Sequence, residues 1–155
     1  MNLLPRIHRT KMLVLVLLLT ALSVSPLMAD YSNPAVAADS QDPVYWLDQG
    51  GLFATYGNYS RAVESYKKAL TLDDNNSRAH YDIAIAYSEL DQLEQALAEI
   101  DRAVALDAEQ SRYHYGRAWI LLKSGRSTEA MDDFQKAADM GNLDAITFLD
   151  KLGRN

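Results

Sequence analysis

The chain has 155 residues, of which 48% are hydrophobic and 23% charged, and its formal net charge is −6. That is one ordinary domain plus a tail, and the absence of cysteine excludes a disulfide framework, a Cys-ligated zinc site, a thiol nucleophile and a lipid-anchored N-terminus. With 21 Asp+Glu against 15 Lys+Arg, nucleic acid is excluded as the main partner, because neutralising phosphates requires clustered positive charge.

The N-terminus reads as a targeting segment. Arg6, Arg9 and Lys11 precede a run from Met12 to Leu22 that is apolar except for Thr20, and Pro26 breaks it. About 13 apolar residues fall short of the roughly 20 needed to cross a bilayer and suit the core of a secretory signal. Small side chains offer two cleavage points, after Ala29 and after Ala37. An uncleaved anchor is the alternative, and the separated Arg6 and Arg9 do not form a twin-arginine signal. Residues 1–29 are therefore read as a Sec-type signal peptide, which predicts a periplasmic or secreted product with no membrane insertion after cleavage. Residues 30–42 lack a helical period and read as a flexible linker.

Beyond the linker the chain repeats itself. At a spacing of 34 residues, Ala62, Ala96 and Ala130 fall into register, as do Ala69, Ala103 and Ala137. Tyr66, Ile100 and Phe134 lie between them, and Gly50, Ala84 and Ala118 form a further small-residue column. Three units follow, 43–76, 77–110 and 111–144. Each reads as two helices: in the second unit Ile83, Ala86, Tyr87 and Leu90 mark the first, and Leu93, Ala96, Leu97, Ile100, Ala103 and Val104 mark the second. Gly57, Asp91 and Gly125 supply the tight turn within each unit, and Ser77 and Ser111 are placed to cap the next helix. Residues 142–152 carry Leu143, Ile146, Leu149 and Leu152, a capping helix for the open end of the stack.

At these positions the sequence resembles the tetratricopeptide repeat family. Trp46, Gly50, Phe53, Gly57, Ala62, Tyr66 and Ala69 are all of the expected type in the first unit. Departures are His80 and His114 in the place of Trp46, Gln49 and Arg117 at a usually apolar position, and Asp74, Ala108 and Asn142 where proline is common. The resemblance implies an all-α fold: three stacked helix-turn-helix units in a short right-handed superhelical solenoid, closed by a C-terminal helix.

Chemistry-bearing motifs are sparse. There is no phosphate-cradling glycine loop, no nucleophile elbow and no His-Glu-x-x-His helix. His80 and His114 occupy equivalent repeat positions, about one helix-pair spacing apart and too far for a shared metal, so they read as core or partly exposed histidines. No catalytic residue, metal or cofactor is expected. Ser60, Arg61, Glu64, Lys67 and Lys68 read as a solvated outer face.

The resemblance also implies where a ligand binds. In that family the first helix of each unit lines a concave groove that takes peptide segments. Carried over, the lining residues include Asp48 from unit one, Arg78, Tyr81, Asp82 and Ile85 from unit two, and Arg112, Tyr115 and Trp119 from unit three. The chaperone-binding branch clamps a terminal carboxylate with basic and amide side chains. The matching positions here hold Leu47, Gly51, Asp82, Arg112 and Gly116, so only Arg112 is basic and that branch is disfavoured. What remains is an aromatic-apolar strip edged by two arginines, rich in the residue types that dominate binding energies. The expectation is a non-catalytic adaptor or assembly factor that binds a protein or peptide in the bacterial cell envelope. An accessory subunit of an envelope enzyme or secretion complex is the alternative, and a hydrolase using Asp48 and Asp82 comes third.

Overall fold

The computed structural model describes residues 40–153. The leader, both cleavage points and residues 30–39 of the linker lie outside them. Seven helices follow in order: α1 Pro43–Thr55, α2 Tyr59–Leu72, α3 Ser77–Glu89, α4 Leu93–Leu106, α5 Ser111–Lys123, α6 Ser127–Asp139 and α7 Leu143–Leu152. The described residues contain no strand. They form an all-α stack of three helix pairs followed by α7, and none of these helices is long and apolar enough to cross a membrane.

The turns within pairs are closed by one device. Gly57, Asp91 and Gly125 have φ of 73°, 59° and 81°, and the residue after each donates its N–H to the carbonyl five residues earlier: Asn58 to Phe53 (2.8 Å), Gln92 to Tyr87 (2.9 Å), Arg126 to Leu121 (2.9 Å). Gly141 repeats it before α7, with φ 83° and a bond from Asn142 to the Ala137 carbonyl (2.9 Å). The capping of α3 and α5 differs from the expectation. Asn76, one residue earlier than Ser77, is the N-cap of α3, its side-chain oxygen accepting from the Ala79 N–H at 3.0 Å. Gln110 precedes α5 without a side-chain cap bond, and the Ser77 hydroxyl instead pairs with the Tyr113 hydroxyl across to α5 (3.2 Å). The carboxamide at 76 already satisfies the free N–H, so the serine is released for that cross-link.

The two alanine columns are the seams of the stack. Ala62, Ala96, Ala130, Ala69, Ala103 and Ala137 are all fully buried, and Tyr66, Ile100 and Phe134 fill the space beside them. Gly50 is required by close approach: a Cβ there would stand 2.3 Å from a ring carbon of Tyr66. One apolar cluster runs from Trp46 to Ile120, a second gathers around Phe134, Ala118, Leu121 and Ala145, and Leu97 touches both.

The last helix covers the stack with a different face from the one its leucines suggested. Ala145, Phe148 and Leu149 pack inward, whereas Leu143 is 78% exposed and Ile146 and Leu152 are also exposed. Phe148 falls in the 34-residue register of Trp46, His80 and His114, so α7 docks as the first helix of a further unit would. Its ring lies 4.2 Å from that of Phe134, centroid to centroid.

Candidate binding groove

The first helices of the second and third units, α3 and α5, meet through a stack of flat groups. Tyr81 lies on Tyr113 with ring centroids 5.1 Å apart and planes 29° from parallel. Its far edge rests where Gly116 has no side chain; a Cβ there would come within 2.8 Å of the Tyr81 ring and 3.6 Å of the Ile85 terminal methyl. On that platform sits Arg112, its guanidinium carbon 4.4 Å from the Tyr81 centroid. Arg78, one turn before Asp82 on α3, places Nε 3.5 Å from an Asp82 carboxylate oxygen and is itself largely exposed. Burial raises the Asp82 carboxyl above its ordinary range, although the charges of Arg78 and Arg112 pull the other way. Tyr66, buried on α2, is pushed up to about 12 by burial and by the negative charge of Asp82.

A second aromatic group lies toward α7. Trp119 makes edge contacts with Phe134 (5.4 Å), Phe148 (5.3 Å) and Tyr115 (6.3 Å), yet remains 44% exposed. Tyr115 is half-buried and its ring also leans on Phe134 at 5.7 Å. The eight residues named from the sequence therefore divide. Arg78, Tyr81, Asp82, Ile85 and Arg112 come together at the α3–α5 junction, Tyr115 and Trp119 belong to the α5–α7 side, and Asp48 is exposed on α1 outside both groups. Tyr113, Gly116 and Phe148 complete these groups; Tyr113 and Phe148 are not among the groove residues read from the sequence, and Gly116 stands there only as a departure from the clamp pattern. Their partners are far apart in sequence, and only the absence of a side chain at Gly116 hinted that another ring lies against it.

The histidines and Arg117 form a structural network elsewhere. His114 is fully buried, with Nδ1 3.1 Å from an Asp133 oxygen and Nε2 3.1 Å from the Ala108 carbonyl. His80 repeats this one unit earlier, facing Glu99 at 2.7 Å and the Asp74 carbonyl at 3.3 Å. The change from Trp46 to histidine is thus matched 19 residues on, where Ser65 gives way to Glu99 and Asp133. Arg117 forks onto Asp133 (2.6 and 2.8 Å) and reaches Asp101 on α4 (2.9 Å), which explains a cation at a usually apolar position. Burial would raise the Asp133 carboxyl, but the hydrogen bonds from Arg117 and His114 outweigh it and hold the group below its ordinary range. A cleft of about 360 Å³ opens beside Arg117, walled by Leu97, Asp101, Leu121, Arg126, Glu129, Asp132 and Asp133; its arginines are paired with its own carboxylates. Among the described residues no group of three or more His, Asp or Glu is placed to hold a metal.

The outer face of α2 is less featureless than expected. Lys68 lies 4.1 Å over the Trp46 ring, Arg61 4.6 Å over Phe53 and Lys67 5.4 Å over Tyr87, so their stems and charges cover aromatic edges.

Two sequence models, both described as tetratricopeptide repeat, match residues 54–120 and 111–140, together more than half of the chain. The chain belongs to the tetratricopeptide repeat family. Among solved structures it is similar to the second such domain of human RPAP3 in complex with the HSP70 peptide SGPTIEEVD (28% identity, TM-score 0.64, covering 73% of this chain and 99% of that one). It is also similar to the first such domain of Spaghetti (RPAP3) bound to the HSP90 peptide SRMEEVD (24%, 0.67, 75% and 94%) and to the Arabidopsis OM64 domain (22%, 0.68, 74% and 96%). A comparison with curated protein sequences finds no match.

Proposed function

We propose that this protein is a non-catalytic adaptor or assembly factor that holds a segment of a partner protein against α3 and α5, and that it works in the bacterial cell envelope after export. The carrying observation is Trp119, a large aromatic 44% exposed although three other rings are available to bury it. Such a side chain retains apolar area for a partner, and tryptophan beside arginine is the composition of a binding hot spot. Similar domains hold peptides, the human RPAP3 domain among them. Export is supported by the positive leader and the apolar run from Met12 to Leu22.

Selection of random displayed peptides on the full chain tests the groove. Enriched peptides should lose about thirty-fold or more in affinity on Trp119→Ala, the loss of a hot-spot side chain. Gln95→Ala, on the exposed side of α4, should leave them unchanged. Enriched peptides indifferent to Trp119 and Arg112 would place binding elsewhere and end this reading.

A further inference from the structure

The charges at the α3–α5 junction do not balance. Arg78 and Arg112 bring two positive charges, and the carboxylate beside them, Asp82, returns one negative. Arg112 lies over an aromatic ring: its guanidinium carbon is 4.4 Å from the Tyr81 centroid, and its N–H groups make no hydrogen bond or ion pair within hydrogen-bonding distance among the described residues. A guanidinium with no hydrogen-bonded carboxylate keeps its fork of donors available, and that fork can receive a carboxylate through two hydrogen bonds. The platform beneath is fixed in turn by Tyr113 and by the gap at Gly116, so little freedom remains to be lost on binding. Trp119 lies seven residues further along α5, about 10 Å at the rise of an α-helix. An extended peptide covers that distance in about three residues.

Resting on the groove reading above, we infer that the partner segment is extended and internal, presents one acidic side chain to Arg112 and Arg78, and places a large apolar side chain three positions away against Trp119. One carboxylate brings the junction to neutrality. A chain terminus bearing a second carboxylate would overshoot it and meet the negative charge of Asp82, 3.5 Å from Arg78.

Fluorescence anisotropy on the full chain tests this with a labelled, end-blocked octapeptide of glycine and serine that carries one glutamate and, three positions on, a leucine. It should bind about ten-fold more tightly than versions with glutamine or lysine in place of the glutamate, and weaken as salt is raised. Arg112→Ala should bring the glutamate and glutamine peptides to equal affinity, and Arg112→Lys should restore only part of the preference, because it keeps the charge and loses the fork. Asp82→Asn should improve binding of a two-glutamate peptide more than that of the single-glutamate one. Helical circular dichroism confirms that each variant is folded. A lysine peptide that binds as well as the glutamate peptide, or a preference that survives Arg112→Ala, overturns the inference. If none of these peptides binds while displayed peptides are still captured through Trp119, the acidic-partner inference fails and the groove stands; if neither set binds, both fail.

Discussion

Two aspartates that each lie beside an arginine are shifted in opposite directions, and the difference is countable in hydrogen bonds. Asp133 receives two bonds from Arg117 and faces His114, so ionisation stabilises the fold. Asp82 has one long contact with Arg78 and is burdened by burial, so ionisation costs stability. Asp133→Asn should therefore lower the free energy of unfolding at pH 7 by about 2–4 kcal/mol, since it leaves a buried arginine and histidine short of charge. A group whose carboxyl is depressed in the fold contributes above the unfolded-state range near pH 4 and loses that contribution as pH falls through its native value. The gap between wild type and Asp133→Asn, measured by urea denaturation, should thus narrow steadily from about pH 5 downwards. Asp82→Asn should do the reverse at pH 7, staying within about 1 kcal/mol of wild type on the stabilising side. Its raised carboxyl means that ionised Asp82 costs stability at neutral pH, a cost relieved as pH falls through its native value. A large destabilisation by Asp82→Asn would show that its bond with Arg78 outweighs its burial.

At the scale of the helix, the small-residue columns set how closely elements approach. Ala96 is fully buried where α4 meets its neighbours, and added volume there has no free space to enter. Ala96→Leu should cost about 1–3 kcal/mol by overpacking, with similar penalties for Ala62 and Ala130 in the same column. Gly50→Ala is the sharper case. Intrinsic propensity favours alanine in a helix by about 1 kcal/mol, yet three Tyr66 ring atoms would lie 2.3, 2.4 and 2.8 Å from the new Cβ. The ring is buried and cannot swing clear, so thermal denaturation should show a net loss of stability. A gain would mean that α1 can slide away from α2. These columns were legible in the sequence because a 34-residue period places chemically equal demands at equal intervals. The inward face of α7 was not, because its leucines form an apolar row while its orientation is set by Phe148 meeting Phe134 and Trp119.

For the whole molecule, the described residues carry the repeat stack, and the export proposal concerns the residues before them. If the chain is exported as proposed, mass spectrometry of the protein from an envelope fraction should find a new N-terminus at Asp30 or Ala38. An intact Met1 would mean that the apolar run is kept as an anchor. Neither outcome changes the residues of the groove, which lie between 78 and 148.

The sequence by itself determined the family, the helical class, the repeat period and the residues of tight turns, because each depends on local geometry repeated along the chain: a left-handed turn at Gly57, Asp91 and Gly125, and small residues wherever two helices cross. Only the tertiary structure decided which aromatic meets which. The proposed strip of Tyr81, Tyr115 and Trp119 separates into a Tyr113–Tyr81–Arg112 stack and a cluster around Phe134 and Phe148. Helical spacing places residues on a face, but rotamers and the helices alongside determine where a ring on that face finally rests. The same holds for Arg117, an exception in the sequence that the fold explains with Asp133 on one neighbouring helix and Asp101 on another.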